Sequence, residues 1–102
     1  MADYKAVAKT GEVPAGGMKP MTLGGKRLLV CHTLGQFYVI DDTCTHDDGP
    51  LADGILDGAA IECPRHGARF DVTDGHVICL PAAVPIRSYP VRVEGDQVLA
   101  AV

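Results

Sequence analysis

Hydrophobic and polar positions alternate along this chain in short runs, broken by turn residues every few positions. No apolar stretch keeps a helical period for more than about ten residues, so the pattern predicts strands rather than helices. Residues 4–9 alternate weakly, and residues 12–21, with Pro14, Gly16, Gly17 and Pro20, read as a loop or an edge. Gly24-Gly25 then opens a strand at 26–33, and Leu34-Gly35 turns it tightly into residues 36–41. Residues 27–32 and 37–40 are therefore predicted to form a hairpin. Short strands follow at 59–62, 69–72 and 76–80, the last two joined across Thr73-Asp74-Gly75. Near the end Tyr89, Val91 and Val93 alternate with Pro90, Arg92 and Glu94, and Glu94-Gly95-Asp96 turns the chain into residues 97–102. No repeat or low-complexity tract interrupts the sequence.

Composition narrows this reading. The chain has 102 residues, 47% of them hydrophobic and 22% charged, with 12 Gly, 7 Pro and no Trp. That length suits one domain, residues 1–102, able to bury close to about two thirds of its surface. It is too apolar for a disordered acidic tail and too often interrupted for a helical bundle, which leaves an all-β domain with many tight turns. The net charge of −4 argues against nucleic acid or an anionic membrane surface as the main partner, since both are held by clustered Lys and Arg. A basic protein partner fits better. The first residues contain no apolar segment of signal-peptide length, and the aliphatic run Leu28-Leu29-Val30-Cys31 is far shorter than a membrane span. A soluble cytoplasmic protein is expected, and in a reducing compartment its four cysteines are ligands or buried thiols rather than a disulfide framework.

The chemistry concentrates in two loops. The first reads Cys44-Thr45-His46-Asp47-Asp48-Gly49-Pro50-Leu51 and the second Cys63-Pro64-Arg65-His66-Gly67-Ala68-Arg69-Phe70-Asp71. Each supplies one thiol and one imidazole, and the glycines and prolines allow sharp bends that point backbone N–H groups at an inorganic core. Such a set binds metal. Structural zinc sites usually keep two Cys on one element and two His on another, whereas here the types interleave; zinc and an iron–sulfur cluster with mixed ligation both stay open on ligand chemistry.

With sixteen residues between His46 and Cys63, these two boxes resemble those of the Rieske-type [2Fe–2S] ferredoxins, in particular the small ones serving bacterial aromatic-ring dioxygenases. The resemblance covers residues 4–102. It implies the Rieske fold: an antiparallel β-sandwich base with a small cluster-binding subdomain of roughly residues 42–82 inserted between its strands. It also implies one cluster per chain, with Cys44 and Cys63 on the buried iron and His46 and His66 on the outer iron, through which the electron would leave. The implied role is that of a monomeric one-electron carrier between an NAD(P)H-dependent flavin reductase and a terminal oxygenase, itself not an enzyme. Neutral imidazoles leave the cluster less negative than four thiolates would, which raises the potential, and their deprotonation should lower it at alkaline pH. High-potential relatives carry a loop disulfide and Ser and Tyr hydroxyl donors; the corresponding positions here look like Gly49, Arg65, Ala68 and Phe70. Fewer donors to sulfur imply the lower end of the roughly −150 to +300 mV Rieske window.

Cys31 reads as a small core residue, Cys79 as packing that could adjoin the site, and His32 and His76 as ordinary histidines. Seven acids (Asp41, Asp42, Asp47, Asp48, Asp53, Asp57 and Glu62) occupy residues 41–62 without a Lys or Arg, which predicts a negative docking face around the first box. Arg65 and Arg69 interrupt that pattern and could instead pair with a partner carboxylate. The other functions to weigh are a small Rieske subunit of a larger reductase, such as an assimilatory nitrite reductase, and a structural zinc module.

Overall fold

The computed structural model describes residues 3–45, 49–64, 67–79 and 84–102. Among them are eleven strands, all paired antiparallel in three sheets. The first sheet has the order β1-β11-β10, from Tyr4–Lys9, Gln97–Ala101 and Val91–Glu94. The second has the order β2-β3-β4-β9, from Met18–Leu23, Lys26–Thr33, Gln36–Asp41 and Ser88–Tyr89. The third, β5-β6-β7-β8, comes from Ile55–Asp57, Ala60–Glu62, Arg69–Asp71 and Val77–Cys79, all lying in sequence between β4 and β9.

The central hairpin explains the layering. Along β3, Leu28 and Val30 join Val7, Val39, Val98 and Ala100 in one apolar cluster, while the intervening Leu29 and Cys31 join Ile40, Ile61, Phe70 and Val72 in another. Leu28, Leu29, Val30 and Cys31 alternate between faces, yet all are buried, so the middle of this strand must have a layer on each side. The first sheet covers one face of β3 and β4, and the inserted sheet covers the other. The predicted hairpin forms with the register Thr33↔Gln36, joined through Leu34 and Gly35, both at positive φ. A two-residue turn of that kind matches strand twist.

Residues 12–21 resolve into two structures. Thr10–Glu12 is a 3₁₀ turn, and β2 begins at Met18 with Pro20 opposite Leu29. β2 is the edge of its sheet, where a residue without an N–H is tolerated. Strand β5 had no counterpart in the hydrophobic pattern, because it is three residues long and leaves Ile55 exposed. The predicted strand at 76–80 is Val77–Cys79, and Leu80 lies outside the described residues.

Two contacts fasten the inserted sheet to the base. The Thr33 hydroxyl donates to the Gly58 carbonyl (2.7 Å) from β3 to the β5–β6 turn. At Gly75, with φ +84°, a Cβ would lie 2.0 Å from the Ile86 carbonyl oxygen, and the Ile86 N–H donates to the Gly75 carbonyl (2.9 Å). Only glycine permits that backbone approach.

Candidate metal centre

The first loop leaves β4 through Asp42, a carboxylate only 5% exposed. Its Oδ1 accepts the Ala52 N–H (2.8 Å), and the Leu51 N–H also binds it, so the acid caps the 3₁₀ turn Leu51–Asp53 that ends the loop. Burial raises the Asp42 carboxyl above its ordinary range, and the two N–H donors and the Arg27 charge pull against that rise. The Asp42 N–H in turn donates to the Arg27 carbonyl (2.9 Å), which fixes the loop's start on β3. Two residues on, the Cys44 N–H donates to the Gly49 carbonyl (2.8 Å) and closes the loop at its neck.

The second loop repeats this construction. It leaves β6, and the Cys63 N–H donates to the Ala68 carbonyl (2.7 Å), again five residues on; the Gly67 N–H returns to the Cys63 carbonyl (3.1 Å). Cys44 and Cys63 are buried at 0% and 1% exposure in one apolar cluster with Leu51, Ile61, Ala68 and Phe70. Two loops pinched by cysteine amides thus stand over a shared apolar floor that carries both thiols. His46, Asp47, Asp48, Arg65 and His66, and the Pro81 loop, lie outside the described residues.

The other expectations sort themselves around this floor. Cys31 shares the cluster, but on a mid-strand position between Met18 and Tyr38; burial, then the Asp42 charge, pushes its thiol up to about 12, so it is an inert core residue. Cys79 is half-buried, and its thiol donates to the Gly67 carbonyl (3.5 Å), which places it against the base of the second loop. Thr45 donates to the Val84 carbonyl (2.5 Å), tying the first loop to the segment that returns to the base. Ala68 and Phe70 are fully buried and have no hydroxyl to offer. His32 meets the Val13 carbonyl (2.8 Å) and stacks on Phe37, while His76 is exposed and faces Asp74.

The acidic face is smaller than the composition implied. Asp42 is buried, Asp41 accepts the Tyr89 hydroxyl (2.5 Å), and Glu62 is paired with Arg69 (2.8 Å). Arg69 is therefore committed within the chain rather than left for a partner. Asp53 and Asp57 are the exposed acids of the set among the described residues. Sequence reasoning missed the structural use of Asp42, since its amide partners lie ten residues downstream and no local spacing marks them.

A Rieske [2Fe–2S] domain family matches residues 3–90. The chain belongs to that family. It is 41% identical over 88 residues to the ferredoxin component of the naphthalene 1,2-dioxygenase system of Pseudomonas aeruginosa, covering 86% of this chain and 85% of that one. It is 39% identical over 93 residues to the biphenyl 2,3-dioxygenase ferredoxin component of Rhodococcus jostii, covering 91% and 87%. Among solved structures, a chain in the complex of reduced oxygenase and oxidised ferredoxin of carbazole 1,9a-dioxygenase superposes with a TM-score of 0.89 at 34% identity, covering 96% of this chain and 92% of that one. The all-β fold is that of Rieske ferredoxins, and the family's cofactor is the [2Fe–2S] cluster.

Proposed function

We propose that this protein is the ferredoxin component of a multicomponent aromatic-ring dioxygenase system, a one-electron carrier rather than an enzyme. The observation that carries the reading is the pair of loops built alike, each closed by the amide of a buried cysteine over a common apolar floor. The fold match to a ferredoxin solved with its oxygenase, and relatives that are ferredoxin components of dioxygenase systems, support the role. In this reading Cys44, His46, Cys63 and His66 hold the cluster, within a subdomain of roughly residues 42–82. The bound cluster supplies a centre that takes up and releases one electron. The chain's own residues do the rest: the two necks set the cysteine backbones, Asp42 and Thr45 brace the first loop, and Leu51, Ile61, Ala68 and Phe70 keep water from the thiols. The Ala68 and Phe70 side chains have no hydroxyl that would hydrogen-bond sulfur and favour the reduced state, so the potential lies at the low end of the Rieske range, which suits a donor to an oxygenase. The electron source is a flavin-dependent reductase, the acceptor a terminal oxygenase, and the carrier works as a cytoplasmic monomer. None of the chain's helices is long and apolar enough to cross a membrane, among the described residues.

Low-temperature EPR of dithionite-reduced protein, with iron and sulfide analysis and a redox titration on the same sample, tests this. A rhombic Rieske signal, about two irons per chain and a low midpoint support it. A high midpoint would overturn the low-potential reading, and a colourless protein holding one zinc would overturn the carrier.

A further inference from the structure

Away from the apolar floor, the charges gather with the opposite sign. A cleft of about 310 Å³ opens where the β2–β3 turn, the end of β4 and the start of β9 meet, lined chiefly by Lys26, Arg27, Asp41, Thr43, Arg87 and Tyr89. In a chain of net charge −4, three of the nine basic residues converge there. Elsewhere three bases are matched, Lys19 with Glu12, Arg69 with Glu62 and Arg92 with Glu94, and Lys5 and Lys9 stand apart on β1. Lys26, Arg27 and Arg87 form no ion pair with a carboxylate among the described residues.

The cleft is organised around Tyr89. Its hydroxyl donates to Asp41, its ring lies under the Lys26 ammonium (5.7 Å to the centroid), and the Arg87 guanidinium hydrogen-bonds its oxygen. Burial, then Asp41, pushes the phenol up to about 12, so the donor persists across the working pH range. Arg27 donates one N–H to the Thr43 hydroxyl (3.1 Å), which leaves that hydroxyl's own hydrogen and the rest of the guanidinium fork for another acceptor. The backbone is equally fixed, since the Arg27 and Arg87 carbonyls accept the Asp42 and Asp41 amides (2.9 and 3.0 Å). Counting the lining side chains alone, three cations against one satisfied carboxylate leave a formal +2, the complement of a dianion, with the buried Asp42 carboxyl also within reach of the Arg27 charge. Planar guanidinium forks with an ammonium suit the tetrahedral oxygens of a phosphoryl group better than a single carboxylate.

We propose that this cleft binds a phosphate dianion, with Arg27, Arg87, Lys26 and the Thr43 hydroxyl as its donors. The site is separate from the cysteine-bearing loops and stands independently of the electron-carrier reading.

Calorimetric titration of the holoprotein at constant ionic strength, with inorganic phosphate, AMP and acetate as probes, tests it. Saturable millimolar binding of phosphate is expected, weakened about tenfold or more in Arg87→Gln and in Lys26→Gln, the loss of a charge-assisted hydrogen bond. The exposed Lys5→Gln control on β1 should leave it unchanged. AMP binding more tightly than phosphate assigns the site to the phosphoryl group of a nucleotide; equal affinity assigns it to the free ion. The proposal is overturned if phosphate does not saturate, if acetate binds as well, or if Lys5→Gln weakens binding as much as Arg87→Gln. Circular dichroism of each folded variant separates lost binding from lost structure.

Discussion

The hairpin strands β2, β3 and β4 run six, eight and six residues, whereas every strand of the inserted sheet has three. In the base, stability is spread over many equivalent apolar positions: β3 alone feeds two clusters, one on each face. The inserted sheet is too short to hold itself by ladder and side-chain area. It depends on a few contacts that have no substitutes: the cysteine amides at the loop necks, Gly75 against Ile86, and Thr33 on Gly58. A region held by redundancy tolerates single changes, and a region held by particular atoms does not.

The largest expected contrast compares two buried cysteines of one cluster. Cys63→Ser should reduce bound iron from about two per chain to near none and remove the visible colour. Cys31→Ser, in the base strand, should keep the iron and cost about 1–3 kcal/mol by burying a hydroxyl in place of a small apolar thiol. Iron analysis and urea unfolding of both variants check this, and loss of iron in Cys31→Ser would mean that the floor is not divided as described.

Two glycines give the next contrast, since both have positive φ and differ in surroundings. Gly35, at φ +73°, has open space where a Cβ would go, so Gly35→Ala should cost about 1 kcal/mol from backbone conformation alone. At Gly75 the added carbon would meet the Ile86 carbonyl, and Gly75→Ala should cost about 3 kcal/mol or more. Equal unfolding midpoints for the two variants would contradict the difference between the regions. Smaller still is Thr33→Val, which leaves the Gly58 carbonyl without its donor and should cost about 1–2 kcal/mol. Native-state hydrogen exchange should then show the β5–β6 amides opening more often than those of β3 and β4.

The same division decides what the sequence revealed. The β3–β4 hairpin was legible because Leu34-Gly35 sits between long apolar runs, and the ligand boxes because their spacing is a local pattern. What escaped notice was held by partners remote in sequence. β5 has no periodicity of its own and exists through pairing with β6. Asp42 looked like one more surface acid until Ala52 and Leu51 came round to cap it. Arg69 looked available until β6 placed Glu62 beside it. Charge counts along a chain do not reveal which charges the fold will neutralise.

The finest contrast sets Glu12 of the base against Asp74 of the inserted sheet, two exposed acids that cap turns. The Lys9 N–H first, then Lys19 (2.9 Å), holds the Glu12 carboxyl below its ordinary range; the His76 N–H first, then its imidazole, does the same for Asp74. A lowered folded pKa means that the unfolded chain binds more protons, so each contribution is present above the ordinary carboxylate range and fades as pH falls through the folded value. Glu12→Gln and Asp74→Asn should therefore each lower the urea midpoint slightly at neutral pH and converge on the parent as pH falls through the lowered folded value of each carboxyl. Salt separates the two, because Glu12 sits in an ion pair with the Lys19 ammonium whereas Asp74 is held first by a backbone N–H of His76: added salt at neutral pH should shrink the Glu12→Gln effect more. Loss of the Asp74 cap should also speed exchange of the His76 amide before any global change. A constant offset from the parent at every pH would show that these variants act by packing, and that neither acid's charge contributes to its turn.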